Sequence, residues 1–489
     1  MTLKTLRQDI PAGLVVFLVA LPLCLGIAQA SGLPPFVGLL TGVIGGLVVT
    51  SLSPSTFAVS GPAAGLVTIV VAAIASLGSF SAFLLALVLA GILQVALGML
   101  RAGRFISLVP GSVIKGMLAA IGILLIVQQI PVALGAADGS LSALFGGEVA
   151  LSPAAIAVAL GGLFTLWLWT TPAIARSRAL GWIPGPLMAV LLGCCATLLG
   201  DRLVPGMALP RITLPEFNSF AALTAELEAP DWRAWTDPSV YVVALTLALV
   251  ASLETLLSQE ALKKLRPQNP PPSPDKEMRA QGVGNVLCGL LGGLPVTAVI
   301  VRSSVNVSAG AQSKTSILLH GVLLLICGLW FSPLLNAIPL ASLAAVLLWT
   351  GYKLAAPRLV IDQLRAGWQQ ALPFFATLGG ILAFGMLAGI ALGLVAQLLC
   401  SIYQSHRYAL QLTRYEDHYV LRLRQNLTFL HNPRLHSLLS QIPDQSVLIV
   451  EQENAGYIDP DVKAVLKDFG QDAPARGIQL NQWPLAQSG

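Results

Sequence analysis

Charged residues are scarce in this chain: Asp, Glu, Lys and Arg make up 10% of its 489 residues, whereas hydrophobic residues make up 55%. Soluble domains carry about 25% charged residues, so the composition excludes a soluble domain and a disordered chain and indicates a membrane protein. The net charge of +5 is spread over many short loops, and we therefore expect no nucleic-acid partner.

Apolar segments follow one another from the N-terminus, and a bilayer crossing needs about 20 mostly apolar residues. The first half of the chain contains seven predicted segments, at 11–30, 36–52, 61–77, 81–100, 112–131, 152–170 and 183–200. After a polar stretch come seven more, at 239–262, 279–292, 296–309, 315–331, 336–350, 369–386 and 388–403. We predict an all-α polytopic membrane domain at 1–405, built from two seven-helix repeats at about 9–200 and 238–405.

The loops between these segments differ in their content of Lys and Arg. Positive charge gathers on the cytoplasmic side of a membrane, and here every second loop is basic whereas the short loops between them hold no Lys or Arg. The basic residues are Lys4, Arg7, Arg101, Arg104, Arg176, Arg178, Lys263, Lys264, Arg266, Lys276, Arg279, Lys314, Lys353, Arg358, Arg365 and Arg407. We predict that both termini are cytoplasmic.

Two segments look too short for a full crossing, and both are third in their repeat. The first opens at Ser60-Gly61-Pro62-Ala63 and the second at Pro295-Val296-Thr297-Ala298. Short segments interrupted by Gly or Pro in corresponding places of two halves are typical of inverted-repeat transporters. If the two openings face each other, their backbone N–H groups form a pocket for one small anion.

The composition changes at about residue 406, where charged residues, His and Asn return. The pattern predicts strands at 419–423, 446–451 and 476–480, with helices at 432–441 and 459–469. This order indicates a small cytosolic α/β domain at 406–489, which could contact a cytosolic partner.

Two ionisable residues within the apolar segments are candidates for function, because such residues are costly at the bilayer centre. Glu254 and Ser258 are one helical turn apart and share a face. A carboxylate there could hold Na+ with hydroxyl and carbonyl oxygens or bind a proton, and the alternative is a purely structural carboxylate. Arg302 follows the second interrupted opening and could attract an anion; the alternative is a side chain that extends to the inner surface.

The chain resembles the sulfate permease (SulP) family of anion transporters over nearly its whole length. The motifs of the membrane domain are Ala20-Leu21-Pro22, Ser31-Gly32-Leu33-Pro34-Pro35, Ser60-Gly61-Pro62, Gly292-Gly293-Leu294-Pro295 and Arg302-Ser303-Ser304-Val305-Asn306. The tail, with Val447-Leu448-Ile449-Val450 and Gly456-Tyr457-Ile458-Asp459, resembles the STAS domain of that family. The first and third segments look like a bacterial branch that is often paired with carbonic anhydrase, which favours bicarbonate and a bacterial plasma membrane.

The resemblance implies fourteen spans in two inverted repeats, an elevator-like motion of a core (spans one to four and eight to eleven) past a gate, and a homodimer. It implies an anion site between spans three and ten, with residues of the first span lining it. The expected site residues are Leu23, Ile27, Ala63, Ala64, Thr297, Ala298, Val299, Ile300 and Arg302. It also implies Na+ or H+ as the coupling ion at Glu254 and Ser258, with Ala298 and Ile300 as further ligands if the ion is Na+.

Some residues depart from the family's usual pattern. Leu23 and Ile27 stand where sulfate and chloride members commonly have a polar and an aromatic residue, and Ile300-Val301 replaces a small polar pair. In the tail, Pro460-Asp461 occupies the place of a Ser or Thr that many STAS domains phosphorylate.

These observations predict a secondary active transporter that moves bicarbonate by symport with Na+ or H+ and needs no other cofactor. The alternatives are H+-coupled sulfate or dicarboxylate symport, a nucleobase permease of the same architecture, a passive anion channel and a membrane sensor that signals through its tail. We expect no enzyme activity, because neither a nucleophile–base pair nor a metal-ligand spacing is visible.

Overall fold

The computed structural model describes residues 3–103, 109–136, 151–175, 183–203, 209–215, 225–267, 272–415, 418–423, 427–452 and 457–481. Of the residues singled out above, Lys4, Lys264 and Arg407 are described only in their backbone, and Arg104, Arg176, Arg178 and Gly456 lie outside this set. The described chain divides into two compact units, one of Met1–Gly367 with Phe374–Ala391 and one of Trp368–Pro373 with Leu392–Gly489.

The first repeat consists of helices joined by one extended segment. Its elements are α1 (Leu3–Ala30), α2 (Pro35–Ile44, continued by a π-helical stretch Gly45–Val49 and a last turn Thr50–Leu52), β1 (Ser60–Pro62), a 3-10 turn (Ala64–Leu66), α3 (Val67–Leu77), α4 (Phe80–Met99), α5 (Gly111–Ala133), α6 (Pro153–Trp169) and α7 (Gly185–Leu203). Capping explains several boundaries: Ser79 accepts a hydrogen bond from the Ala82 N–H at the start of α4, and Gly78 ends α3 with a φ of 75°.

The second repeat follows the same order of elements, with a short helix at Ser332–Leu335 and one further helix at Pro357–Arg365. It contains α8 (Pro238–Leu265), α9 (Pro274–Leu291), β2 (Val296–Ala298), α10 (Ile300–Ser308), α11 (Thr315–Trp330), α12 (Leu340–Leu354), α13 (Pro357–Arg365), α14 (Trp368–Phe384) and α15 (Met386–Tyr408). The strand-then-helix element stands third in both repeats, as β1 with α3 and as β2 with α10.

Each predicted apolar segment coincides with a helix, or with a strand and a helix in the two interrupted segments, and the ends differ by several residues. Among the described residues, seven helical stretches are long and apolar enough to cross a membrane: Thr5–Ala30, Pro35–Leu52, Phe80–Met99, Gly111–Ala133, Pro238–Lys263, Leu340–Arg365 and Met386–Gln404. The multi-pass membrane architecture is therefore confirmed, while the number of crossings and the domain boundary at residue 405 stay predictions.

Small residues bring pairs of helices into close contact. A methyl group on Gly91 of α4 would lie 2.6 Å from the carbonyl oxygen of Gly282 on α9, and one on Gly282 would lie 2.7 Å from that of Gly91. Gly122 of α5 and Gly351 of α12 approach each other in the same reciprocal way, at 2.6 and 2.8 Å. Such close approach strengthens helix packing where no hydrophobic effect acts between helices.

The two interrupted segments cross as a pair of short antiparallel strands. Ser60 is opposite Ala298, Gly61 is opposite Thr297, and Pro62 is opposite Val296. All six residues are buried. The pairing joins the two repeats at the places where their helices are broken, which positions the starts of α3 and α10 beside each other.

The second repeat differs from the prediction in two places. The twelfth segment was predicted to begin at residue 336, but α12 begins at Leu340, because the Asn336 side chain pairs with the backbone of Leu214 in both directions, at 2.6 and 3.0 Å. The basic loop after α12, for which no helix was predicted, contains α13. That helix combines apolar residues with Arg358, Asp362 and Arg365. Its mean hydropathy is therefore too low for it to be recognised as an apolar segment.

The second unit contains a four-stranded sheet with the order β3 (Leu410–Tyr415), β4 (His418–Leu423), β5 (Val447–Gln452) and β6 (Gln479–Asn481). The β3–β4 pair is antiparallel and the other pairs are parallel. Two helices follow the predicted positions, α16 (Asn432–Leu439) and α17 (Pro460–Asp472). The edge strand β3 was not predicted, and the last strand is shorter and later than the predicted 476–480.

Candidate functional site

The candidate site lies where the starts of two broken helices meet. Ala63 and Val299 hold extended conformations immediately before the helical turns that begin at Ala64 and Ile300. The first N–H groups of a helix have no acceptor within the helix, and its N-terminus carries a partial positive charge. Because β1 pairs with β2, two such ends occupy the same region, and this arrangement suits a small anion.

Side chains of neighbouring helices bind the backbone of the two crossing segments. Asn285 binds both backbone polar groups of Val296: its Oδ1 accepts from the N–H at 2.6 Å and its Nδ2 donates to the carbonyl at 3.2 Å. Thr41 accepts from the N–H of Leu294 at 2.7 Å. On the other segment, Ser303 accepts from the Val59 N–H at 2.9 Å. These bonds fix both strands in a region from which water is excluded.

Arg302 is fully buried behind β1. Its Nη2 donates to the Pro62 carbonyl at 3.3 Å, and its Nη1 donates to the Cys24 sulfur at 3.4 Å. Its Nε has no hydrogen-bond partner among the described residues. The alternative of a side chain that extends to the inner surface is therefore wrong, since this guanidinium ties α10 to α1 and to the strand of the other repeat.

Gly61 makes room for this arrangement, because a methyl group at that position would overlap Nη1 of Arg302. The guanidinium thus lies directly against the backbone of β1, one residue before the turn that opens α3. Its positive charge adds to the electropositive field at the two helix starts.

Glu254 lies on α8 against the opening of α3. A methyl group on Gly65 would be 2.8 Å from Oε1 of Glu254 and 3.1 Å from its Oε2. Oε2 is buried and has no hydrogen-bond partner in the described part of the chain. The next residue, Thr255, accepts a hydrogen bond from the N–H of Ala298 at 3.2 Å, so α8 touches both broken segments at neighbouring residues.

The structure collects most of the remaining predicted residues around this crossing. Leu23 and Ile27 of α1 are buried in the same apolar cluster as Ala63, and Ala64 packs against that cluster. Ala298 and Ile300 pack with Leu262 of α8, one turn beyond Ser258. Thr297 is fully buried and its hydroxyl has no partner among the described residues. No cluster of three His, Cys, Asp or Glu residues suited to a metal occurs in the described residues.

Several polar residues of this region were not singled out by the sequence interpretation. They are Thr41, Gln94, Ser252, Thr255 and Asn285. The available signal was an amide or hydroxyl side chain within an apolar segment, which a membrane protein retains only where it has a partner.

Comparison with known proteins places this site in context. A model of the sulfate permease family matches residues 6–377. The putative sulfate transporter YvdB of Bacillus subtilis is 28% identical over 458 residues, which cover 91% of this chain and 79% of that protein. The bicarbonate transporter BicA of Synechocystis is 27% identical over 359 residues, which cover 70% of this chain and 60% of that protein.

Solved structures share the fold. The transmembrane domain of a cyanobacterial bicarbonate transporter BicA matches with a TM-score of 0.67 and 24% identity, covering 81% of this chain and 98% of that chain. The structure of SLC26A9 matches with a TM-score of 0.75 and 14% identity, covering 98% of this chain and 84% of that chain.

Proposed function

The chain belongs to the sulfate permease family and is a multi-pass membrane anion transporter, and on that premise we propose that it takes up bicarbonate by secondary active symport with Na+ or H+. The observation that carries the coupling is the position of Glu254. Its carboxylate lies against Gly65, at the electropositive opening of α3 where the anion would bind.

A negative carboxylate at this opening opposes the binding of an anion. Two like unit charges about 4 Å apart repel by about 4 kcal/mol at an effective dielectric constant near 20. A cation or proton that neutralises Glu254 removes this repulsion, so cation and anion would bind cooperatively. Arg302, with its Nε free of protein partners in the described region, would keep the site attractive for the anion.

Bicarbonate is the first choice of substrate because BicA relatives match 70% of the chain. The putative sulfate transporter YvdB matches a larger share of the chain, 91%, and sulfate is nevertheless the second choice, because Leu23 and Ile27 stand where sulfate and chloride members of the family commonly have a polar and an aromatic residue. The side chains of Leu23 and Ile27 beside Ala63 are aliphatic and offer no hydrogen bond to an anion. The groups that would bind the anion are therefore backbone N–H groups and Arg302, which can donate to bicarbonate and to sulfate alike.

The transport step would be an elevator-like movement. Two groups of helices support this proposal. In the first group α1 packs against α2 and α11, and α4 packs against α8 and α9; in the second, α12 packs against α5, α6 and α7, and the two groups meet where α1 contacts α12. The crossing strands belong to the first group. We further propose a homodimer in the plasma membrane of a bacterium, with both termini in the cytoplasm.

The proposal is tested with purified protein in liposomes. Uptake of ¹⁴C-bicarbonate and ³⁵S-sulfate is measured under imposed Na+ or H+ gradients with the membrane potential clamped. We expect accumulation of one anion above its equilibrium level under one cation gradient. Glu254→Gln should abolish accumulation, whereas Glu260→Gln, a matched change at an exposed carboxylate of α8, should leave it intact.

Other outcomes identify the alternatives. Flux that stays passive under every gradient and is insensitive to Glu254→Gln indicates a channel, and absence of flux of both anions indicates a sensor. Uptake of sulfate alone under an H+ gradient selects the second substrate. Arg302→Ala should raise the anion KM; an unchanged KM would mean that Arg302 only holds the strands together.

A further inference from the structure

A chain of buried side chains connects the helix of Glu254 with the strand at the second helix opening. Nε2 of Gln94 donates to the Ser252 hydroxyl at 3.0 Å, and Oε1 of Gln94 accepts from Nδ2 of Asn285 at 2.6 Å. Asn285 in turn holds the N–H and the carbonyl of Val296. All four residues are at most 1% exposed, so water cannot replace any bond of the chain.

The polarity of the backbone determines the direction of every bond in this chain. The Val296 N–H requires Oδ1 of Asn285 as its acceptor, so Nδ2 of Asn285 must face the Val296 carbonyl and Gln94. Oε1 of Gln94 must then face Asn285, which leaves Nε2 for Ser252. Reversing either amide would put two donors or two acceptors together, and the chain therefore has one arrangement in which all bonds exist.

A second connection joins the same two elements. Thr255, three residues after Ser252 and on the same face of α8, accepts from the Ala298 N–H at 3.2 Å. Ser252 and Thr255 flank Glu254 on the helix. These contacts connect α8 on both sides of Glu254 with β2, at Val296 and at Ala298, immediately before the turn that opens α10.

We propose that Gln94 is a positioning residue that couples the cation at Glu254 to the anion between the helix openings. This inference rests on the proposed cation-coupled function and names the route of the coupling. Binding of the cation adjusts α8, the Ser252–Gln94–Asn285 chain carries that adjustment to β2, and the N–H groups at the start of α10 gain or lose their alignment with the anion.

The experiment measures the coupling itself, as the ratio of the anion KM without the cation to the KM at saturating cation. The anions are ¹⁴C-bicarbonate and ³⁵S-sulfate, and the cation is Na+ or H+, whichever drives uptake by the unaltered protein. Coupling between sites usually amounts to about 5- to 150-fold. We expect Gln94→Leu and Ser252→Ala each to lower this ratio at least threefold. Both substitutions remove the hydrogen bond between Gln94 and Ser252 of α8, and both leave the hydrogen bonds between Asn285 and Val296 in place.

Two controls separate this role from a purely structural one. Gln129→Leu and Ser342→Ala remove equally buried polar groups of α5 and α12 that are not part of the chain, and they should leave the ratio unchanged. Ser252→Ala keeps the test meaningful if Gln94→Leu does not fold.

If Ser252→Ala folds and leaves the ratio unchanged, the inference about Gln94 is overturned whatever the result for Gln94→Leu. The proposed function would not be affected by that outcome. If the unaltered protein shows no effect of either cation on the anion KM, the proposed function and the inference both fail.

Discussion

Replacement of Gly65 by alanine places a methyl group directly against the carboxylate of Glu254. The new Cβ would lie 2.8 Å from Oε1 and 3.1 Å from both Cδ and Oε2, whereas an ordinary contact begins at 3.4 Å. The carboxylate must therefore retreat by about 0.6 Å, the difference between 3.4 and 2.8 Å. The backbone at residue 65 is compatible with alanine, because its φ is not positive.

A displacement of this size is large for an ion site. Distances between ligand oxygens and a metal ion are held to about 0.2 Å, and a misplacement of about 1 Å at a reacting group can lower activity about 100-fold. We expect the concentration of coupling cation that gives half-maximal uptake to rise about tenfold in Gly65→Ala, equivalent to about 1.4 kcal/mol of binding free energy. Folding should not suffer, because alanine favours a helix more than glycine does.

The assay is anion uptake into liposomes as a function of the driving cation, together with thermal unfolding in detergent. Gly161→Ala is the matched control, since its methyl group would meet nothing within 4 Å. A cation dependence that changes less than about twofold in a stably folded Gly65→Ala protein would refute the assignment of Glu254 as the coupling residue.

Three further predictions concern other contacts. Gly61→Ala should raise the anion KM at least about tenfold, because the methyl group overlaps the guanidinium of Arg302; the initial rate of uptake as a function of anion concentration measures this KM. Asp9→Asn should lower stability by about 1–3 kcal/mol in thermal unfolding, since this buried carboxylate accepts bonds from the 312–313 backbone and from Ser313. Gln445→Gly should slow hydrogen exchange in β5 about fivefold by relieving the φ of 62° at that residue.

The bilayer is the reason why so much of the fold could be predicted from the sequence. A crossing demands a long apolar run, so every described helix of the two repeats left a readable segment except the amphipathic α13 and the short helices Pro172–Ala175 and Ser332–Leu335. The two broken segments were readable because Gly and Pro stand at the same place of each half. Asn336 was misassigned because hydropathy is blind to its pairing with Leu214, a residue 122 positions away.

The candidate site was predictable in its charges but not in its contacts. Glu254 and Arg302 were recognisable as ionisable residues in apolar surroundings. The partners of Arg302, at Cys24 and Pro62, are 278 and 240 residues distant in sequence, and no local pattern reveals such a pairing. Gln94 and Asn285 are likewise 191 residues apart, and each alone resembles an isolated polar residue.

The crossing strands explain why these polar residues are needed. A broken helix at the depth of the bilayer exposes backbone groups that must find partners inside the protein. The backbone groups that precede each helix opening are satisfied by strand pairing and by the side chains of Asn285, Thr255 and Ser303. The first-turn N–H groups at Ala64 and Ile300 have no acceptor within their helices. Because the strand groups already have partners, the first-turn N–H groups are the donors that remain for an anion. A residue that shifts β2 changes the direction in which these N–H groups point. If the anion binds at these groups as proposed, the polar residues that stabilise the break also determine the geometry of its site, and a neutral glutamine without direct contact to the anion would change its affinity.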